Sequence, residues 1–554
     1  MNSESRICRN CKKEFIIAAD DFSFYEKIQV PPPTFCPTCR AIRRMVWWNE
    51  HNLYRKKDAL TGTEVFSSYP ETSSIKVYDR DYWWSDSWDP EEFAREYDVN
   101  RSFFEQFHDL LLAVPWPSRD VQRLVNSDYS NQASDLKNCY LVFNSGMSEN
   151  CLYGVSSLGV RDSIDFYFCG SSELCYELSF GDNCYGCFFS TDVSNSRNVW
   201  FSRDCHDCND CFGCVNLRSK QYYIYNQPYT KESYKEAIKS LNLGSYASIQ
   251  EIERQVREFW RSLPYRFAHS LQNTKSVGEY LYNSKNTRYS YQVLGAENVA
   301  YSQNMSRGIK DSMDYTSWGN NAELIYESIN VGENARNIKF SYACWPGCSD
   351  LEYCVNCVSS SDCFGCVGLR KKQYCIFNKQ YSKEEYESTV ARIKENMKKA
   401  GEYGEFFPTS LSSLAYNESV AVDMFPKTKT EAESEGYRWR ESEERNFQFT
   451  ISNSQLPDHI ADISDTIAKE VIECGGCHRA YRILDRELEF YRRFLIPVPR
   501  LCHRCRYDKR KELRNPIRWW KRNCAKCNVE IETTFSPDRP EVVYCEECYQ
   551  NEVA

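Results

Sequence analysis

KNCYL at 137–141, ENCLY at 149–153, DSIDF at 162–166, ELCYE at 173–177, DNCYG at 182–186 and RNVWF at 197–201 share one beat. Each is a polar turn of Asn, Asp or Ser followed by a short run rich in Cys, Tyr and Phe. Their starts lie 9 to 15 positions apart, read as a repeat period of about 12 to 14. The beat returns as ENVAY at 297–301, DSMDY at 311–315, ELIYE at 323–327, RNIKF at 336–340 and DCFGC at 362–366. The two runs are copies, since CFGCVNLRSKQYYIYNQPYTKESY at 211–234 matches CFGCVGLRKKQYCIFNKQYSKEEY at 363–386 with an offset of 152. Short period-2 strands punctuated by turn residues at a fixed interval predict a duplicated β-solenoid or β-helix. Two beats would make one coil of about 25 residues. A meandering antiparallel sheet is the alternative reading of the same beat.

Helical segments follow each half. Ser248 and Glu251 form a capping box ahead of Ile249, Ile252, Val256, Phe259 and Trp260, and Ser382 with Glu385 starts the matching helix. Residues 400–460 are mixed and acidic, and SEGYRWRESEERN at 434–446 reads as a loop or linker. Seventeen of the 29 cysteines lie in the middle. Cys205, Cys211 and Cys214 correspond to Cys357, Cys363 and Cys366, and either a metal site per half or a ladder of small buried residues fits them. The repeat puts Cys at one turn-strand position again and again, which packing alone explains.

The ends carry a second duplication. Cys8/Cys11 and Cys36/Cys39 recur as Cys474/Cys477 and Cys502/Cys505 at an offset of 466. Phe24-Tyr25 then falls on Phe490-Tyr491, Pro31 and Pro33 on Pro497 and Pro499, and Arg40 and Arg44 on Arg506 and Arg510. Each Cys-x-x-Cys sets two thiolates on a tight knuckle, and two knuckles supply the four sulfurs of a tetrahedral zinc site. Knuckle, hairpin, knuckle and basic helix is the order of a zinc ribbon or treble clef. Cys524/Cys527 and Cys545/Cys548 predict a third site. In the N-terminal copy Asp58, Thr61, Asp79 and Tyr82 stand in their places, so that copy is expected to keep its fold without metal through Tyr82, Trp83, Trp84 and Trp88. Three zinc ions are therefore the expected cofactors.

The stretch ICRNCKKEFIIAADDFSFYEKIQVPPPTFCPTCRAIRR and its copy at 473–510 resemble the bacterial probable zinc-ribbon domain family. The 524–548 segment resembles a small bacterial domain defined by two CxxC pairs at the separation of Cys527 from Cys545. Chains of similar layout occur in candidate-phylum bacteria. The resemblance implies zinc and implies no reaction.

The chain has 554 residues and a net charge of −9. No apolar stretch approaches membrane-spanning length and the start has no apolar signal core, so a cytoplasmic protein with no membrane partner is expected. Residues 469–526 hold 17 Lys and Arg against 7 Asp and Glu, a net of +10 in an acidic chain. Arg506, Lys509, Arg510, Arg514, Arg518, Trp519 and Trp520 are the expected nucleic-acid contacts, because basic side chains beside aromatics suit phosphates and unpaired bases. No phosphate-cradling loop, G-x-S-x-G or H-E-x-x-H motif is present, the seven histidines sit in unrelated contexts, and Asp165 and Asp314 read as turn-closing residues. No catalytic activity is expected.

The sequence thus predicts a mixed, mainly β chain. Its segments are a zinc ribbon at 1–50, a cysteine-free copy plus helix at 51–120, solenoid halves at 121–230 and 271–381, helical segments at 231–270 and 382–465, a second ribbon at 466–515 and a third zinc domain at 516–554. The first functional expectation is a zinc protein that binds RNA or DNA. The second is a scaffold or self-associating protein, with the solenoid as platform for a protein partner or second copy and the zinc modules as caps over its ends.

Overall fold

In the middle of the chain every third residue is left-handed: Asn138, Leu141, Asn144, Met147, Asn150, Tyr153 and Ser156 all have positive φ. Such residues turn the backbone by a corner, and Asn and Asp tolerate this conformation best. Four corners close one turn in twelve residues. Parallel bridges run from Lys137 to Glu149, Arg161, Glu173, Tyr185 and Arg197, each step advancing twelve residues. Three further ladders keep the same step, through Leu152 and Ile164, Val155 and Tyr167, and Leu158 and Gly170.

This computed structural model, which describes residues 2–441 and 448–553, is mixed, with more strand than helix. One beat is one turn, so the expected two-beat coil is corrected by half. The strands within each half pair in parallel, which removes the antiparallel meander; only the last short strands, Gln227–Pro228 and Lys379–Gln380, turn back. In the second half the step varies, with Ser270 on Leu281, Lys285 on Glu297 and Ile338 on Leu351.

The period-2 reading missed the triplet. Its first residue bridges to the next turn and faces outward, its second is the corner, and its third points to the axis. The third positions run Cys139, Val142, Ser145, Ser148, Cys151 and so on to Cys205, Cys208, Cys211 and Cys214, all buried. Four side chains per turn share this narrow interior, which selects small residues. It also selects Ser and Cys, because the ladder leaves backbone groups there to satisfy. Ser157 Oγ donates to the Val155 carbonyl at 3.1 Å and accepts from the Cys169 amide at 3.0 Å. Cys211 Sγ lies 3.4 Å from the Asn209 carbonyl. Where a ring enters, the preceding turn gives up its side chain: a Cβ on Gly154 would sit 2.0 Å from Phe166. Outside, Asn138 donates to Asn150 and Asn150 to Asp162 along one corner, and the Phe189 and Phe201 rings stack at 4.6 Å on another.

The chain divides into two units. One holds 1–120, 268–441 and 516–519, and the other 121–267, 442–515 and 520–554. The N-terminal module thus belongs with the second half of the repeat, and the C-terminal modules with the first. Within each unit a helix closes the last turns. Tyr246–Ser262 packs Ile249, Ile252, Val256 and Trp260 on Phe201, Phe212 and Val215. Phe103–Ala113 packs Phe103 5.3 Å from both Phe364 and Phe377. Ser245, not Ser248, caps the former helix, accepting from the Ser248 amide; Ser382 caps Lys383–Ala400 as read. Of the stretch 434–446, residues 442–446 lie outside the described residues.

Interior chemistry is directly testable. Cys211→Ser should change stability by less than about 1.5 kcal/mol, since a hydroxyl serves the same carbonyls, whereas Cys211→Leu should cost about 1–3 kcal/mol by overpacking. Urea unfolding of the two variants measures the difference.

Candidate metal centres and the docking of their modules

Each end module grows from two knuckles. In the first, the antiparallel strands Glu4–Ile7 and Glu14–Ile17 carry the Cys8/Cys11 turn. The helix Ala19–Lys27 follows in place of the second strand of the expected hairpin, and Cys36 then caps the basic helix Pro37–Met45. The second copy repeats this with Ile472–Glu473 on Ala480–Tyr481, Asp485–Phe494, and His503–Lys511 capped by Cys502. The third module has the hairpin Trp520–Asn523 on Glu530–Thr533 and the helix Glu546–Val553.

The predicted cysteines come together in three sets. Cys8, Cys11, Cys36 and Cys39, then Cys474, Cys477, Cys502 and Cys505, then Cys524, Cys527, Cys545 and Cys548 each bring four sulfurs within 4.8 Å of one another. Individual pairs stand 3.8 Å apart for Cys11 and Cys36 and 3.7 Å for Cys477 and Cys502 and for Cys527 and Cys545. A tetrahedral ion with Zn–S of about 2.3 Å sets its sulfurs about 3.8 Å apart, so the donors fit. Amides already serve them: Cys36 N–H points at Cys8 Sγ, Cys502 N–H at Cys474 Sγ and Cys545 N–H at Cys524 Sγ, at 3.2–3.3 Å. Among the described residues no set from the middle cysteines joins these three.

The cysteine-free copy keeps the frame by other means. Tyr54–Lys57 pairs with Glu64–Ser67 and Val77-Tyr78 follows, each at the common offset from its counterpart in the third module. Asp58 replaces Cys524 and takes over its amide: it accepts from the Asp79 N–H at 2.5 Å, the Thr61 N–H at 2.7 Å and the Thr61 hydroxyl at 2.9 Å. Burial alone would raise the Asp58 carboxyl, but these hydrogen bonds hold it below the usual carboxylate range. Tyr78 meets Tyr82 and Trp88 edge-on at 5.2 and 5.4 Å, filling in where sulfur is missing.

The basic helices do not form an open surface. Arg506 and Arg510 are 3% and 2% exposed. Arg506 Nε lies 2.7 Å from Asp165, and Arg510 Nη1 lies 3.0 Å from both Asp165 and Glu177. Arg506 also covers the Tyr153 ring and approaches Glu487, whose carboxyl burial pushes up. Arg514 is buried, with Nη1 donating to the Tyr167 hydroxyl, and Lys509 pairs with Glu253 at 2.8 Å. Arg518 is exposed and Trp519 is half-buried 6.2 Å from Tyr289 in one unit, while the half-buried Trp520 begins a strand of the other. The expectation that Arg506, Arg510 and Arg514 face outward is therefore corrected: the ladder places Asp165 and Glu177 on adjacent turns, and the arginines neutralise them. Asp165 sits at a left-handed corner of its turn, as read, and its carboxylate also docks the two arginines.

The first unit repeats the contact. Arg40 lies 2.8 Å from Asp314, Arg44 lies 3.3 Å from Asp314 and Glu327, and Arg43 lies 2.6 Å from Glu405. Tyr25 meets Tyr326 edge-on at 5.6 Å, as Tyr491 meets Tyr176 at 5.6 Å. Asp21 accepts from the Tyr301 hydroxyl where Glu487, its counterpart, accepts from Tyr153. The two ribbon modules lie on the flank of each half, against Leu152, Ile164, Tyr176 and Phe188 in one and Tyr326 in the other, whereas the third module meets Asp204 in the late turns of the first half through Tyr549.

No helix among the described residues is long and apolar enough to cross a membrane. No protein-family model matches the chain. No curated protein matches it. Among solved structures the chain is similar to one titled as a putative acetyltransferase from Desulfovibrio desulfuricans G20, at 12% identity over 44% of this chain. It covers 63% of that chain, with a TM-score of 0.11. The expectation of a chain without catalytic activity is withdrawn on this match, although a likeness so slight carries no argument for the activity in that title.

Converting the cysteine-free copy is the sharpest test of the sites. The wild type should hold three zinc ions, and the variant D58C/T61C/D79C/Y82C a fourth, by elemental analysis of purified protein. A wild type with fewer than two, or a variant with no gain, would contradict the assignment.

Proposed function

We propose that this protein is a zinc-braced scaffold. Its two repeat halves are β-solenoids whose outward ladders offer a platform to a protein partner or a second copy. Its end modules are zinc ribbons that stiffen the halves from the flank. The observation that carries this reading is the use made of the basic helices. Four arginines in two equivalent positions are sealed against carboxylates of the repeat, and a phosphate would have to displace Asp165 or Asp314 to reach them. A buried cation already paired in this way has little to offer a polyanion.

The outward ladders support the same reading. Lys137 pairs with Glu149 at 2.6 Å and Lys285 with Glu297 at 2.9 Å, so charges alternate from turn to turn. Such faces leave no large field of one sign, which suits a surface recognised by shape and local pairing.

Two measurements test the proposal. Wild-type protein titrated with bulk RNA at 50 and 200 mM salt should show no binding that falls steeply with salt; a loss of about 10³-fold or more between these salts would restore the nucleic-acid expectation. Arg510→Met should destabilise the protein by about 3–5 kcal/mol in urea, as expected when one partner of a buried pair is removed. A change below about 1 kcal/mol would mean that the helix does not brace the repeat.

A further inference from the structure

Asp182, Ser194, His206 and Arg218 stand on one outward ladder of the first half, one per turn. The ladder fixes neighbours at strand spacing, so Ser194 and His206 face each other by register and not by a chance rotamer. Ser194 Oγ lies 2.5 Å from His206 Nδ1. His206 Nε2 lies 2.7 Å from Asp204 Oδ1, which also accepts from Arg218 Nη2 at 2.8 Å, and Asp204 Oδ2 accepts from the Tyr549 hydroxyl. Burial would raise the Asp204 carboxyl, but the His206 hydrogen bond and the Arg218 charge keep it well below the usual range. Access grades outward: Asp204 is buried, the His206 side chain is one-third exposed at 33%, and Ser194 is half-buried.

We propose that Ser194, His206 and Asp204 form an acyl-transfer triad that cleaves activated carboxylic esters. A nucleophile, a base within hydrogen-bond reach and a fixed acid that orients the base are the parts such chemistry requires. Ser194 Oγ attacks the acyl carbon while His206 Nδ1 takes its proton and His206 Nε2–H stays on Asp204. The C–O bond to the leaving alcohol breaks, and that alcohol takes the proton from Nδ1, leaving the acyl group on Ser194. Water then attacks the acyl-serine with its proton passing to Nδ1 and back to Ser194 Oγ, which releases the acid. The ring is presented with Nδ1 to the serine and Nε2 to the aspartate.

The surroundings choose the substrate class. The nearby amides of Asn195, His206 and Asp207 all donate to ladder carbonyls, so they offer no spare N–H to a developing oxyanion. Esters with good leaving groups, such as aryl esters, ask least of that stabilisation.

The test uses the full-length, zinc-loaded protein with 4-nitrophenyl acetate and a fluorophosphonate probe. The expected result is release of 4-nitrophenol and a phosphonate adduct that mass spectrometry places on Ser194. Ser194→Ala should abolish the adduct, and His206→Gln should slow both reactions about 100-fold or more, with zinc content and thermal unfolding unchanged. His206→Asn is the second variant if His206→Gln does not fold. Labelling elsewhere, no labelling of folded protein, or a His206 variant that reacts at the wild-type rate would overturn the proposal.

Discussion

Two arginines one helical turn apart, buried against two carboxylates one repeat turn apart, organise each unit. A helix advances about 6 Å in four residues, and adjacent parallel strands stand about 4.8 Å apart, so the two rows are commensurate over one step. Arg506 and Arg510 meet Asp165 and Glu177 in this way, and Arg40 and Arg44 meet Asp314 and Glu327. Charges sealed this deeply hold only if both rows are rigid. The ladder supplies one rigid row. The other is a short helix of arginines with little intrinsic stability, and the cysteines at its first turn, joined to a second knuckle, fix its start and direction.

The equivalence of the two contacts extends to the elements around them. Val543 pairs with Tyr265, and Val77, its counterpart, pairs with Trp116. Both units therefore contain a module, a short strand, a closing helix and a repeat half, but in different chain order. In the first unit the module and helix precede the half, and in the second the half comes first. Each unit is completed only by a stretch from far along the sequence, as Arg44 and Asp314 are separated by 270 residues. Long-range closure of this kind slows folding, and a free module would expose unpaired arginines until its half had formed.

Much of this was written plainly in the sequence. The common offset between the two ends identified the cysteine sets and the altered copy at Asp58, because ligands and turn residues cannot drift without losing the knuckle. The beat identified the repeat and its duplication. The coil length was misjudged because a triplet with one apolar position resembles a strand when bulky Tyr and Phe occupy corners, as Tyr153 and Phe189 do. Pairing of the basic face with the chain's own acidic middle was one of the readings open, but which carboxylates meet the arginines was not legible. A basic helix beside tryptophans reads the same whether it faces phosphate or its own chain, and Asp165 and Glu177 lie far up the chain from Arg506 and Arg510. Likewise Ser194, His206 and Asp204 carry no motif, since only the register of the repeat sets Ser194 beside His206.

The account rests on the buried pairs, and a double-mutant cycle on Arg506 and Asp165 tests them most directly. Arg506→Met and Asp165→Leu should each cost about 3–5 kcal/mol in urea unfolding, because each unbalances a buried charge cluster that Arg510 and Glu487 then neutralise only in part. Together they should cost much less than the sum, since the apolar pair needs no partner and the coupling of groups in contact is large. Two penalties that simply add would contradict the account, for Arg506 and Asp165 would then not be partners in the folded protein.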